Sequence, residues 1–327
     1  MKIIALEEEF TSPALMAAMA RELTQYRYTL ETSSQLIGQD LGAAFVDLGD
    51  QHIAAMDAAG IDLQVLSFTA PQLEDPVQAL EVFQEGNNRA ARAMAAYPSR
   101  FSAFAALPLA NPQAAVEELE RAVKTLGFVG GFVAGSVNGH FLDEPRFWPV
   151  LECAEALRVP IYLHPYFPLP GLMESYLKGR EELGGPEWGF MIDASCHFMR
   201  MVVAGIFDRF PGLRIILGHL GESIPYNLVR IQNRLSAFAA AQHFKKPVAS
   251  YFTENLAVTT SGNFSVPSLL CAVQVLGIEN ILFSVDWPNE SNIEAVNFLR
   301  HLPLAPADLD KIAYRNAEKL LGITLRQ

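Results

Sequence analysis

Five side chains in this sequence would bind a divalent cation if the chain brought them together. Glu7 and Glu9 end the run "IIALEEEF", His164 ends "VPIYLH", His219 follows "LRIILG", and Asp286 ends "ILFSVD". Each stands where a short apolar run stops. Glu7 and Glu9 are two apart, so an extended backbone points both to one face, while Glu8 points to the other, outside. Like charges this close disfavour ionisation unless something positive offsets them. Carboxylates and imidazoles converging on one point suit Zn²⁺ or Mn²⁺, and the mixed N and O donors do not choose between the two. A lone histidine is more often structural, and a lone acid after a strand is more often a helix cap. The shared position at strand ends carries the metal reading.

Such positions need strands that end together. Continuous apolar runs occupy residues 3–7, 63–69, 101–107, 128–134, 159–164, 213–219, 256–262 and 281–286. Runs without alternation fit parallel strands covered on both faces. Helical patterns separate them. Asn111-Pro112 opens one that runs to Gly127, with Val116, Leu119, Val123 and Leu126 on one face. Asp143 and Pro145 open another, with Phe147, Val150, Leu151, Ala154 and Leu157 inward. Ser291 and Glu294 form a capping box. Eight strands alternating with helices predict a (β/α)8 TIM barrel as a single domain over residues 1–327, with chemistry at the strand C-termini. An open doubly wound sheet is the weaker alternative, since no G-x-G-x-x-G follows the first strand. Residues 10–50 form a long excursion after strand one, helical over 13–25, read as a lid across the barrel mouth.

The chain has 327 residues and a net charge of −12 with no Lys/Arg run, which argues against nucleic acid or an anionic membrane as partner. Cys153, Cys196 and Cys271 are scattered, so they read as buried thiols in a reducing compartment. No basic segment leads into an apolar stretch at the N-terminus, and no apolar run approaches a membrane span. The expectation is a soluble cytoplasmic protein.

Other residues divide between site and scaffold. His52, His243 and His301 read as surface or structural, and His140 and His197 as structural. Phe68, Trp188 and Trp287 are candidates for aromatic pocket walls, although core packing is the commoner fate of such side chains. Arg21, Tyr26 and Arg27 in the excursion could reach an anionic ligand.

At this point the sequence resembles the amidohydrolase superfamily, in the branch of metal-dependent, non-oxidative aromatic acid decarboxylases that includes the γ-resorcylate, 2,3-dihydroxybenzoate and 5-carboxyvanillate enzymes. The likeness is carried by "ALEEEF", "RFSAFAALPL", "VPIYLHP", "GIFDRFP", "LGHLGESIPYNLVRI", "TTSGNF" and "FSVDWP", in that order along nearly the whole chain. It implies metal ligands at Glu7, His164 and Asp286, with His219 and Glu222 as catalytic partners. Arg230 would hold a substrate carboxylate. The implied reaction is decarboxylation of an ortho-hydroxybenzoate, with Asp286 protonating the ring carbon. Members are commonly homodimers or homotetramers.

Two residues depart from the branch. Glu9 stands where a ligand histidine is frequent, and Asn289 stands where several members carry an aromatic. No lysine lies in "GFVAGSVNG", which favours one metal over two. The competing expectation keeps the metal and uses a bound water to hydrolyse a lactone, ester or amide. A metal-binding barrel without catalysis is the third.

Overall fold

The computed structural model describes residues 1–13, 15–16, 40–238 and 244–325. Eight parallel strands pair in chain order: β1 (Ile4–Phe10), β2 (Leu63–Phe68), β3 (Phe101–Ala106), β4 (Gly131–Ala134), β5 (Ile161–His164), β6 (Ile215–Leu217), β7 (Leu256–Thr259) and β8 (Ile281–Leu282). Beyond β8 a parallel bridge joins Ser284 to Leu6, and Leu6 N donates to Phe283 O at 3.3 Å, closing the ring. A helix follows each strand: α1 (Asp50–Ala59), α2 (Pro76–Ala96), α3 (Pro112–Arg121), α4 (Trp148–Leu157), α5 (Gly189–Val203), α6 (Ile224–Leu235), α7 (Val266–Leu276) and α8 (Asn292–Arg300). This is the expected (β/α)8 barrel. Each strand lies inside its predicted run except β1, which continues through the acids.

Strand alternation divides the core into two shells. Ile4, Leu6, Leu63, Val65, Phe104, Phe132, Tyr162, Ile216, Ala257 and Leu282 fill the barrel, joined by Leu321 and Leu325 near the C-terminus. Ile3, Ala5, Leu66, Phe68, Leu163 and Leu217 face the helices. Filling the barrel interior makes it a packed core, so any site must sit above it at the strand ends.

The helix starts follow cap chemistry. Asn111 Oδ1 accepts from Ala114 N at 3.2 Å, Pro112 takes the first position, and Gly127 closes the last turn at φ +75°. Ser291 Oγ accepts from Glu294 N at 3.4 Å. Asp143 departs from expectation. It pairs with Arg200 at 2.9 Å, and α4 begins only at Trp148, after a tight turn over Pro145–Phe147. The excursion after β1 ends in a helix, Leu41–Val46, capped by Asp40. Most of the expected helix over 13–25, together with Arg21, Tyr26, Arg27 and His243, lies outside the described residues. No described helix is long and apolar enough to cross a membrane.

Candidate metal centre and active site

β1 carries one extra residue. Ala5 is opposite Gln64 but Glu8 is opposite Leu66, so the register slips between them, and Glu7 takes φ +60°. A bulge of this kind reverses the alternation beyond it. Ile4 and Leu6 face into the barrel, and Glu7 and Glu9 do too. Glu8 points toward the helices as expected, but it is wholly buried there rather than solvated.

Glu7 sits at the floor of the mouth. The Tyr162 hydroxyl donates to Glu7 Oε2, and Thr259 Oγ1 lies 3.0 Å from that hydroxyl. An added Cβ on Gly218 would approach the two Glu7 oxygens to 2.8 and 2.9 Å, so only glycine leaves them room. His164 Nε2, at the end of β5, lies 3.4 Å from Glu7 Oε1 and 3.1 Å from Glu9 Oε1. Asp286 lies four residues beyond β8 at φ +80°. One donor atom each from Glu7, His164 and Asp286 lies within 4.8 Å of the other two.

These groups fit a divalent cation. Glu7 Oε1 is buried and makes no hydrogen bond. Burial lifts the Glu7 carboxyl to about 7, against the pull of His219 and His164. Burial would depress the His164 imidazole, but Glu9, then Glu7 and Asp286, raise it to about 9. Burial, opposed by the His219 hydrogen bond and reinforced by Glu9, lifts Asp286 to about 6. A neighbourhood that raises acids and an imidazole together favours added positive charge.

Glu9 stands beside this triad with both oxygens engaged. Oε1 accepts from Thr69 Oγ1 and Oε2 from Asn289 Nδ2, both at 2.7 Å. Asn289 Nδ2 also lies 3.4 Å from Asp286 Oδ1.

The second constellation follows β6. His219 Nδ1 meets Glu222 Oε1 at 2.5 Å, and His219 Nε2 faces Asp286 Oδ2 at 3.7 Å. His219, Leu220, Gly221, Glu222 and Ser223 all have positive φ. Of the eight non-glycine residues with positive φ among those described, Glu7, His219, Glu222 and Asp286 are four. Each costs about 1–3 kcal/mol and persists only where the surroundings hold it, a pattern of functional sites. Gly262 keeps the gap between His219 and Asp286 open: a Cβ there would lie 3.1 and 3.2 Å from them.

Beside His219 and Glu222 a cavity of 710 Å³ opens toward α7, walled by Trp188, Phe190, Tyr226 and Cys271. Trp188 is therefore at the site.

Three expected pocket residues are elsewhere. Phe68 shares the outward parity of Leu66 on β2; its ring packs on Phe83 and over Gly86 of α2, so it is core. Trp287 packs on His52, behind the site. Arg230 is exposed and lines a groove with Ser195, Met199 and Arg234 that reaches neither His219 nor Glu222 nor the triad. Helix geometry explains this. Arg230 lies seven residues past Ser223, about 10 Å along α6, and two past buried Leu228, on the opposite face. The remaining described histidines are structural. His52 bonds Gln64 at 2.6 Å, His140 pairs with Glu144, His197 accepts from Leu142 N, and His301 bonds Asn297 O.

Sequence reading missed Tyr162, Thr259 and Thr69. Tyr162 is two residues before His164, so alternation alone puts both on the inner face of β5. The threonines carry no comparable signal.

Comparison with known proteins adds four findings. The amidohydrolase family matches residues 27–323. The γ-resorcylate decarboxylase of Rhizobium sp. (strain MTP-10005) is 38% identical, with 98% of each chain covered. Among solved structures, a dihydroxybenzoic acid decarboxylase from Polaromonas sp. JS666 with bound manganese and 2-nitroresorcinol has a TM-score of 0.88 at 36% identity, covering 98% of this chain and 97% of that one. The manganese complex of 5-carboxyvanillate decarboxylase from Novosphingobium aromaticivorans reaches 0.92 at 27% identity, covering 98% and 96%.

Proposed function

Since the chain belongs to the amidohydrolase family, we propose that Glu7, His164 and Asp286 hold one divalent ion, Mn²⁺ or Zn²⁺, for decarboxylation of an ortho-hydroxybenzoate. The enzyme is a carboxy-lyase acting on hydroxylated benzoates. The observation that carries the residue assignment is the convergence of the triad donors, with His219 lying both 3.7 Å from Asp286 and on the wall of a cavity large enough for a substituted ring. The bound ion supplies Lewis-acid charge to substrate oxygens.

The protein groups do the proton work. Asp286 Oδ2, facing His219, delivers a proton to the ring carbon that bears the carboxylate. The C–C bond then breaks, CO2 leaves, and the ring electrons return to the aromatic system. Burial makes Asp286 a stronger base than an exposed aspartate, as a proton-delivering group near neutral pH requires. His219 Nε2 hydrogen-bonds the phenolic oxygen, and Glu222 fixes its Nδ1 and stabilises the imidazolium. Asn289 holds Glu9 beside the donors of the ion. A homodimer or homotetramer is part of the same reading, supported by the exposed Tyr226 and Val229 on α6.

The experiment is metal removal followed by Mn²⁺ or Zn²⁺ addition, with CO2 release measured on 2,6- and 2,3-dihydroxybenzoate, salicylate and 5-carboxyvanillate beside a lactone and ester panel. Metal-dependent CO2 release that is lost in Asp286→Asn is the expected result. Hydrolysis without CO2 release would overturn it.

A further inference from the structure

Asp286 is not held by a strand ladder. β8 ends at Leu282, and Asp286 sits four residues later in a left-handed conformation. Among the described groups, its flanking peptides are fixed by an outward carboxylate on another strand. Glu8 Oε1 accepts from Val285 N at 3.1 Å, and Glu8 Oε2 accepts from Trp287 N at 3.3 Å. The carboxylate thus spans Asp286, taking the N–H on either side of it. The matching carbonyls are also tied: Gly262 N donates to Val285 O at 3.2 Å and Glu9 N to Trp287 O at 2.6 Å.

Glu8 is wholly buried and has no cationic partner among the described residues. Its remaining contacts are Gln64 Nε2 at 3.0 Å and Ser284 Oγ at 3.5 Å. Gln64 is itself fixed by His52 at 2.6 Å and by Asn292 at 3.1 Å. Burying a carboxyl away from any cation is unfavourable, and a neutral amide or aliphatic would fill the same space at lower cost. An amide or an aliphatic, however, could not offer two acceptor oxygens to two peptide N–H groups at once.

We infer that Glu8 is a positioning residue whose carboxylate grips the peptides on both sides of Asp286 and sets that side chain against Glu7 and His164. One strand would then carry two jobs. The inner face of β1 presents Glu7 and Glu9 to the centre, and its outer face fixes the distance to the last acid, which comes from the far end of the chain. The inference rests on the proposed role of Asp286.

The test compares Glu8→Gln, Glu8→Asp and Gln64→Met. Glu8→Gln keeps the shape but turns one acceptor into an NH2 facing a peptide N–H. Expected is a fall in kcat for CO2 release from 2,6-dihydroxybenzoate of at least about tenfold, with KM within about twofold, and an altered Mn²⁺ electron paramagnetic resonance spectrum. Gln64→Met removes a donor to the same carboxylate without touching the peptides. It is expected to lower the thermal midpoint while leaving kcat and the spectrum unchanged. Glu8→Asp keeps the carboxyl group on a shorter arm and is expected to fall between. Wild-type kcat and spectrum in Glu8→Gln would overturn the inference, as would equal kcat losses in Glu8→Gln and Gln64→Met. If Glu8→Gln does not fold, wild-type values in Glu8→Asp overturn it instead. Should the parent enzyme release no CO2, a changed Mn²⁺ spectrum in Glu8→Gln would still support the positioning role while the reaction assignment fails.

Discussion

Gly218→Ala tests the metal centre without removing any polar atom. The added methyl carbon would lie 2.8 Å from Glu7 Oε2 and 2.9 Å from Oε1, closer than such contacts occur. Opening both to the 3.4 Å of ordinary contact takes a retreat of about 0.5–0.6 Å. Glu7 cannot retreat freely, because Tyr162 and Thr259 hold its Oε2. Ligand distances at a metal tolerate only about 0.2 Å, so this displacement removes good coordination rather than adjusting it. Disturbing the support of a ligand lowers metal affinity by about 10- to 100-fold, or about 1.4–2.8 kcal/mol. Gly218 does not occupy the left-handed region, so alanine adds no backbone strain there and the fold should persist. The assay is a Mn²⁺ titration of apoprotein followed by the resonance of the free aqua ion, with thermal melting alongside. A variant that binds Mn²⁺ within twofold of wild type would refute the placement of Glu7 as a ligand pressed against Gly218. Weaker binding accompanied by general unfolding would not support it either.

Three further outcomes are expected. Glu222→Gln keeps the bond to His219 Nδ1 but removes the charge, and kcat should fall by about 10²- to 10⁴-fold with KM little changed; activity within threefold of wild type would count against the His219–Glu222 pair. His197 is buried and neutral: burial, then Arg200, pull it down to about 3 from an ordinary 6.5, and its Nε2 accepts from Leu142 N. The unfolded chain binds this proton first, so stability is present above pH 6.5 and declines as pH falls toward 3, by up to about 1.4 kcal/mol per pH unit. Melting temperatures from pH 7 to 4 should show this slope flattened in His197→Gln, and an unchanged slope would exclude His197 as its source. Gly86→Ala would place a Cβ 2.3 Å from the Phe68 ring, and chemical denaturation should show a loss of about 1–3 kcal/mol, whereas a neutral result would mean α2 shifts easily.

The barrel was readable because parallel strands covered on both faces leave uninterrupted apolar runs, and all eight stand in the expected places. The inner face of β1 was harder. Alternation continued from Ile4 and Leu6 would put Glu8 inside and Glu7 and Glu9 outside. The pairing of Glu7 with Glu9 was legible from their spacing, but the bulge that turns them inward depends on register with β2, which no local pattern encodes. The place of Arg230 was hidden for the converse reason. Resemblance supplied a role, while α6 has an inner face set by Ile224 and Leu228 that leaves Arg230 outside. The Thr69 and Asn289 contacts to Glu9 are between residues far apart in the chain and had no signal at all.

The bond between Asn289 and Glu9 joins the two positions that the sequence reading singles out separately. Its consequence concerns how such an enzyme can change. Introducing an aromatic at 289 to favour a different ring would strip Glu9 Oε2 of its donor, leaving a buried carboxylate oxygen bare. Altered substrate preference would arrive together with altered ion loading, and neither trait could be selected or engineered alone. Redesign of this corner would run through paired exchange at residues 9 and 289, since a single replacement leaves one of them without its partner.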